Sequence, residues 1–147
     1  TGKMMGNGVK GQAVLLLHDA GDVPQIFADG LHIIPHDDGT VAIGSTSERD
    51  FSDPTATDAE ATHLADRARI LMPQLADAPV VETWAAIRPR AKSRAPLLGA
   101  WPDRSGHFVA NGGFKIGFGV APMIARTMVD LVLDGRETFP PDFRFPT

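Results

Sequence analysis

The 147-residue chain contains no cysteine and no tyrosine. Without cysteine it can form neither a disulfide nor a thiolate, and such a composition is typical of reducing compartments. We therefore expect a cytoplasmic protein. The lack of tyrosine removes a phenolic hydroxyl that often serves as an acid, a base or a substrate contact. Polar chemistry in this chain must come from other side chains or from the backbone.

The chain also lacks an excess of positive charge and any long hydrophobic run. Its 14 Lys and Arg residues are outnumbered by 18 Asp and Glu residues, which gives a formal net charge of −4. This balance provides no general attraction to nucleic acid or to an anionic membrane. The longest apolar run, residues 13–17, is strand-sized and far below the roughly 20 residues of a membrane span. We expect neither a nucleic-acid partner nor a membrane span.

Glycine is concentrated in the stretch 107–135, around which the chain is organised. Residues 107–110 predict a short strand, and a loop with four glycines follows: Gly112, Gly113, Gly117 and Gly119. Because glycine has no Cβ atom, this backbone can approach a flat or bulky group closely. A helix is predicted to begin near Ala121, with Pro122 in its first turn, and to stop at Gly135.

The loop amides and the N-terminus of that helix are therefore predicted to converge on one point. Such a point carries partial positive charge and suits an anion or an electron-rich carbonyl group. A tight connection between strand and helix, in which the glycines only permit packing, explains the same pattern equally well.

A second set of glycines lies at the start of the chain. Gly6, Gly8 and Gly11 match the pattern G-x-G-x-x-G, but a dinucleotide-binding fingerprint needs a strand before the glycines and a helix after them. Here almost nothing precedes them, and residues 13–17 predict a strand that follows. We interpret this segment as a flexible lead into the first strand.

The remaining patterns predict an α+β fold with a largely antiparallel sheet and two main helices. Residues 31–35 and 40–43 predict a hairpin, because Asp38-Gly39 between apolar runs is a strong turn signal. Thr57 and Glu60 fit a capping box for a helix that runs to about Met72. Residues 80–90 predict another strand. We expect residues 1–106 and 107–147 to be two portions of one compact unit.

The histidines give no metal site in this interpretation. His32 and His36 are four residues apart on a predicted strand, which separates them by roughly 13 Å. His107 is close to the glycine loop, but its position at the start of a strand favours a structural role. No side chain of the chain is assigned as a catalytic acid or base.

A basic stretch follows the predicted strand 80–90. Arg88, Arg90, Lys92 and Arg94 occupy alternate positions, so they share one face if the backbone stays extended. That face suits an anionic ligand, whereas nucleic acid is disfavoured because the stretch is short and lacks interleaved aromatic residues. A basic edge strand that resists aggregation is the structural alternative.

Three segments together resemble the C-terminal portion of the D-amino acid oxidase and glycine oxidase family of FAD-dependent oxidoreductases. Residues 31–44 are similar to the family's hairpin that ends in Ile-Gly. Residues 87–89 (IRP) and 95–99 (APLLG) are similar to its "LRP … PxIG" signature, and residues 112–122 (GGFKIGFGVAP) to its loop "GHxxxGxxxAP". The order and spacing of the three segments are more specific than each segment alone.

The resemblance implies a role for each matching segment. The loop would contact the flavin of FAD through Gly112, Gly113, Phe114, Lys115, Ile116, Gly117 and Gly119. Arg88 would bind the substrate carboxylate, and Lys115 stands where some relatives carry an arginine at the mouth of the substrate site. Residues 1–106 would form the sheet and helix of the substrate domain, and residues 107–147 the strand, loop, helix and tail that contact flavin.

The implied activity is oxidation of a small amine or amino acid by hydride transfer to flavin, as part of a longer enzyme. The N-terminal FAD-binding part of the family is absent from these residues and would be supplied by the same protein, so the isolated piece is expected to be inactive. Cysteinyl attachment of flavin is impossible here, so we expect noncovalent FAD. The chain departs from the family where Gly113 replaces a histidine and Ile116 a polar residue. A stand-alone module that binds an anionic ligand is the alternative function.

Overall fold

A computed structural model describes residues 4–146 of the chain. It contains seven strands: β1 (Gly6–Leu17), β2 (Ile26–Ala28), β3 (Leu31–Pro35), β4 (Thr40–Gly44), β5 (Val80–Ala91), β6 (Leu97–Ala100) and β7 (Phe108–Asn111). The two α-helices are α1 (Ala59–Leu71) and α2 (Gly117–Asp134), and single 3₁₀ turns cover Pro73–Leu75 and Pro141–Phe143. The predicted α+β fold with two main helices is confirmed.

The chain divides into two compact units, one of residues 9–87 and one of residues 1–8 with 88–147. The portions that we predicted from the sequence meet at residues 106 and 107. The predicted boundary falls between β6 and β7, which are paired as an antiparallel hairpin from Leu97↔Asn111 to Ala100↔Phe108. A boundary there would cut this hairpin, and for that reason both strands belong to the same unit.

The unit of residues 9–87 is built on antiparallel pairing. Strands β1 to β5 lie in the order β2-β3-β4-β1-β5, and the pairings of β1 with β4, β2 with β3 and β3 with β4 are antiparallel. The predicted hairpin of β3 and β4 is confirmed, with Ile33 opposite Ile43. Alternation within these strands sends Leu31, Ile33, Val41 and Ile43 into the core, where all four side chains are fully buried.

Helix α1 covers that core and packs against β3 and β4. Its buried side is formed by Ala61, Leu64, Ala65 and Ala68, whereas Leu71 in the last turn is 40% exposed. The predicted capping box is wrong in its first residue, because Asp58 and not Thr57 caps the helix. The Asp58 carboxylate accepts a hydrogen bond of 3.0 Å from the Glu60 backbone N–H. The Thr57 hydroxyl is instead 3.2 Å from the hydroxyl of Thr83.

The glycines near the start of the chain lie within β1, so the expected flexible lead is wrong. Strand and not helix follows them, which excludes the dinucleotide fingerprint. One of these glycines is required by close packing: a Cβ atom on Gly6 would meet the carbonyl oxygen of Arg90 at 2.3 Å. Nearby, the Lys92 N–H donates a 2.9 Å hydrogen bond to the carbonyl of Met5.

The unit of residues 1–8 and 88–147 combines the hairpin of β6 and β7 with α2. Helix α2 packs against both strands, and its Leu131 joins Leu98 and Phe139 in a small buried cluster. The helix ends at Gly135, whose φ of 66° is left-handed. The predicted stop at this glycine is confirmed.

The tail that follows α2 is folded onto the same unit, although its prolines predict an extended, exposed segment. Phe139 and Phe145 are 7% and 6% exposed. The Phe145 N–H donates a 2.7 Å hydrogen bond to the carbonyl of Leu98, and the Phe145 ring stacks on Trp101 with centroids 5.6 Å apart. Pro140 and Pro141 therefore lie between two buried phenylalanines of the tail.

Candidate functional site

The glycine loop lies beside the end of β5. Arg90 and Gly113 form an antiparallel bridge, and the Phe114 N–H donates a 3.2 Å hydrogen bond to the carbonyl of Pro89. Gly112 has a φ of 80°, and a Cβ atom there would lie 3.1 Å from the Cβ atom of Ala91. Glycine is therefore needed at this position both for the left-handed backbone and for the close approach to β5.

The loop turns sharply before α2 begins. Phe114 has a φ of 43°, which is unusual for a residue with a side chain and costs on the order of 1–3 kcal/mol. The Ile116 N–H donates a 2.9 Å hydrogen bond to the carbonyl of Gly113 and closes the turn. Left-handed residues of this kind persist where the surrounding structure holds them, and they are frequent in binding loops.

Helix α2 begins at Gly117, four residues earlier than predicted, with Ile116 as its N-cap. Pro122 consequently lies in the second turn, where the missing N–H deprives the carbonyl of Phe118 of its helical hydrogen bond. No side chain caps this N-terminus in the part of the chain that the structure describes. The N–H groups of the first turn are those that a helix cannot satisfy internally.

The first turn of α2 also presents an open surface. Among residues 4–146, no atom other than those of the adjacent residues and the helix's own backbone lies within 4 Å of a Cβ atom placed on Gly117 or on Gly119. The amides at this helix end are thus accessible to a group that lies flat against the backbone. Phe118, between the two glycines, is fully exposed.

Two cations lie beside the loop. The guanidinium carbon of Arg90 is 5.6 Å from the centre of the Phe114 ring, and the Lys115 Nζ atom is 5.8 Å from it. Arg90 is half-buried and Lys115 is exposed. Within residues 4–146, no ion pair joins either of them to a carboxylate. The loop therefore carries positive charge without a matching acidic side chain.

The basic stretch keeps only part of the predicted common face. Arg88 and Arg90 occupy alternate positions of β5, and both are half-buried. The strand ends at Ala91, and the backbone turns before Arg94, whose φ is 66°. Lys92 and Arg94 lie in this turn and are exposed, so the expectation of four cations on one extended face is wrong.

The predicted site residues thus lie on two segments of one unit. The positions from Gly112 to Gly119 form the loop and the first turn of α2, and Arg88 lies two residues before Arg90, which pairs with Gly113. Sequence reasoning missed the ring of Phe114 as the contact of Arg90. The alternate positions of Arg88 and Arg90 indicate that the two side chains share a face. No pattern in the sequence indicates the left-handed φ of Phe114.

A second polar cluster lies in the unit of residues 9–87 and was not predicted. The fully buried Gln12 side-chain amide donates to Asp58 at 2.8 Å and to Glu48 at 3.1 Å. Lys10 is 3% exposed, and its Nζ atom lies 3.7 Å from Glu48 Oε2 and 3.9 Å from Asp58 Oδ2. The hydrogen bond from Gln12, with that from Glu60 N–H and the charge of Lys10, lowers the pKa of the Asp58 carboxyl below its ordinary value.

No other chemistry is evident in the described part of the chain. Residues 4–146 contain no cluster of three or more histidine and acidic side chains that could hold a metal ion. His107 is exposed, and its ring Nδ1 lies 3.2 Å from the carbonyl oxygen of Ser105. Neither α1 nor α2, nor any other described helix, has the length and hydropathy of a membrane span.

An open glycine cradle at an uncapped helix N-terminus, next to a strand that carries Arg88, is the arrangement expected of the flavin-contacting portion of an oxidoreductase. The family model of the FAD dependent oxidoreductases matches residues 3–131. The chain belongs to this family.

The relatives and solved structures that match include several glycine oxidases. Glycine oxidase of Pseudomonas aeruginosa is 37% identical over 130 residues, which cover 88% of this chain and 35% of that protein. Glycine oxidase of Geobacillus kaustophilus is 33% identical over 129 residues. Its crystal structure matches with a TM-score of 0.81 and 30% identity over 98% of this chain and 40% of that chain. The chain spans about a third of the length of the glycine oxidases that it matches.

The residues present fit FAD. The backbone is open at each of Gly117 and Gly119 where a Cβ atom would otherwise stand, which leaves room beside the helix end for a planar ring. The first-turn amides of α2 can donate to an electron-rich carbonyl group, and the helix dipole favours negative charge at the same point. These are the groups that a flavin needs at its carbonyl edge.

Proposed function

We propose that the polypeptide carrying this chain oxidises a small amine or amino acid with noncovalently bound FAD. The observation that supports this proposal most directly is the open glycine backbone at the uncapped N-terminus of α2, beside the strand of Arg88. The identity to glycine oxidases supports the same reaction class. Noncovalent binding is proposed because the chain has no cysteine through which flavin could be attached.

The loop residues would hold the cofactor and tune its charge. The backbone of Gly112, Gly113, Phe114, Lys115, Ile116, Gly117 and Gly119 would contact the flavin. Amides of the first turn of α2 would stabilise negative charge at the carbonyl edge, because preorganised donors act strongly where water is excluded. FAD, when bound, supplies the acceptor for a hydride from the amine-bearing carbon.

Arg88 and Lys115 would orient the substrate. The guanidinium of Arg88 is a planar, two-pronged donor that matches a carboxylate, and it stays charged at any physiological pH. By fixing the carboxylate, Arg88 would set which bond of the neighbouring carbon faces the cofactor. Lys115 follows Phe114 in the loop and would add positive charge at the mouth of the site.

The rest of the enzyme is proposed to come from the same polypeptide. The chain spans about a third of the glycine oxidases that it matches, and residues 4–146 contain no strand–GxGxxG–helix unit for the ADP half of FAD. We propose that an N-terminal part of the same protein supplies this unit and that the protein is cytoplasmic.

Purification of the native polypeptide from its source, with an antibody raised against this segment, tests the proposal. A protein well above 15.7 kDa with the visible absorbance of oxidised flavin, which is bleached by glycine, a D-amino acid or a related amine, is the expected result. Release of the flavin on acid precipitation would confirm that it is noncovalent.

A stand-alone, non-catalytic module for an anionic ligand is the second candidate. The two cations beside Phe114, Arg90 and Lys115, favour it, since within residues 4–146 no ion pair joins them to a carboxylate. A colourless polypeptide of about 15.7 kDa in the source cells would support this module and contradict the oxidoreductase.

A further inference from the structure

More positive charge surrounds the candidate substrate site than one carboxylate needs. A single guanidinium binds a carboxylate through two parallel hydrogen bonds, and Arg88 is the proposed donor. Arg90 is on the same face of β5, two residues further along. Lys115 adds a third cation from the loop that is bridged to this strand through Gly113.

Phe114 holds the two additional cations in place. The Arg90 guanidinium carbon and the Lys115 Nζ atom lie 5.6 Å and 5.8 Å from the centre of the same ring. A cation within about 6 Å of an aromatic ring is attracted by its π electrons. The left-handed backbone of Phe114 directs this ring, and the bridge between Arg90 and Gly113 fixes the two segments against each other.

Several other arginines of the described residues are balanced by acidic partners. Arg67, Arg69, Arg136 and Arg144 are each paired with an Asp or Glu at 3.3 Å or less. For Arg90 and Lys115, residues 4–146 provide no such partner. Like charges held near one ring repel each other, and a bound anion removes this repulsion.

We propose that Arg90 and Lys115 form a second anion subsite that selects substrates with a second acidic group. The inference rests on the proposed function and deepens it: Arg88 binds the carboxylate next to the amine, and the Arg90–Lys115 pair binds a carboxylate further along. The substrate class is then an amino acid or secondary amine that carries two carboxylates. Phe114 is a positioning residue for both cations.

Calorimetric titration of the native polypeptide with succinate and with butyrate tests this subsite. The two probes have the same number of carbons and differ in the second carboxylate, and neither contains an amine to be oxidised. We expect succinate to bind at least about tenfold more tightly than butyrate. Arg90→Gln should abolish most of this preference, with little change in the affinity for butyrate. Lys115→Gln should also abolish most of the preference.

Variants of neighbouring cations give matched controls. Lys92→Gln and Arg94→Gln remove exposed charges of the turn after β5, and both should keep the wild-type preference for succinate. Arg90→Lys and Lys115→Arg retain the positive charge and should keep most of the preference for succinate. If the control variants lower succinate affinity as much as Arg90→Gln does, general charge attraction explains the binding and the subsite is refuted.

Two further outcomes would overturn the proposal. The first is equal affinity for succinate and butyrate in the wild-type protein. The second is tighter binding of inorganic pyrophosphate than of succinate, which would assign the cations to a phosphate group. Flavin content is measured on the same samples. A flavin-containing oxidase without succinate preference refutes only the subsite, and a colourless protein that prefers succinate refutes only the oxidase.

Discussion

A Cβ atom on Gly6 would lie 2.3 Å from the carbonyl oxygen of Arg90. The start of β1 and the end of β5 are therefore in close backbone contact. The contact lies at Arg90, whose side chain is a candidate anion-binding group. No side chain can be added at Gly6 unless one of the two segments moves, because the obstructing atom belongs to the backbone.

Gly6→Ala is expected to destabilise this contact by about 1–3 kcal/mol, the usual cost of inserting a methyl group where no space exists. The measurement is amide hydrogen exchange at Lys92, whose N–H is bonded to the carbonyl of Met5. Faster exchange at Lys92 is the expected result. Gly119→Ala, where no atom lies within 4 Å of the added methyl, is the control that should leave Lys92 unchanged.

Gly117→Ala and Gly119→Ala should separate stability from cofactor binding. Both residues are in the first turn of α2, where alanine in place of glycine favours the helix by roughly 0.5–1 kcal/mol. Each added methyl group would occupy open space at the helix end that we assign to flavin. We expect unchanged or raised thermal stability of the flavin-free protein and at least about tenfold weaker flavin affinity. Unchanged flavin affinity would place the ring elsewhere.

Arg88→Leu should raise the KM for a carboxylate-bearing substrate by about 10–150-fold, since a charged hydrogen-bonding group contributes roughly 1.5–3 kcal/mol. Arg88→Lys keeps the charge but loses the two-pronged geometry, so its KM should lie between those of the wild-type protein and Arg88→Leu. Steady-state kinetics at matched flavin content is the measurement, with Lys92→Gln as the control. A KM unchanged in Arg88→Leu would remove Arg88 from the substrate site.

The lowered pKa of Asp58 predicts acid sensitivity of the N-terminus of α1. The hydrogen bond from Gln12 lowers this pKa below 3.8, the ordinary value, so the folded state binds fewer protons than the unfolded state near that pH. The carboxylate therefore contributes stability above about pH 4, and the contribution is lost as the pH falls through the folded-state pKa.

Asp58→Asn removes this titration while keeping a side chain that can cap a helix. Thermal unfolding between neutral pH and about pH 3 should show that wild type and variant converge as the solution becomes more acidic. Lys10, Glu48 and His63 are the other charged or titratable groups around Asp58, and they are left intact. A constant difference between the two proteins across this range would contradict the prediction.

The hairpin and the end of α2 could be predicted because short-range signals decide them. Asp38-Gly39 favours a turn through its local backbone preferences. The left-handed position that ends a helix favours glycine, and Gly135 occupies that position. The start of α2 could not be predicted in this way. Pro122 is typical of a first turn and glycines disfavour a helix, yet the helix extends back to Gly117.

The polar cluster around Gln12 shows a different limit of the sequence. No residue close to Lys10 or Gln12 in the sequence indicates that these side chains are buried or which groups they contact. Their partners, Glu48 and Asp58, are 36 or more positions away from Gln12. Burial of such side chains depends on the tertiary fold, which brings carboxylates to them.

The buried tail also determines where the polypeptide can be truncated or labelled without loss of packing. A polypeptide ended after α2 would lose Phe139 and Phe145, uncover Leu98 and Leu131, and leave Trp101 without its stacking partner. The shortest segment that keeps the glycine loop in its present form therefore extends past Phe145. A fluorescent label or an affinity tag is better placed in the exposed turn between β6 and β7 than within residues 136–145.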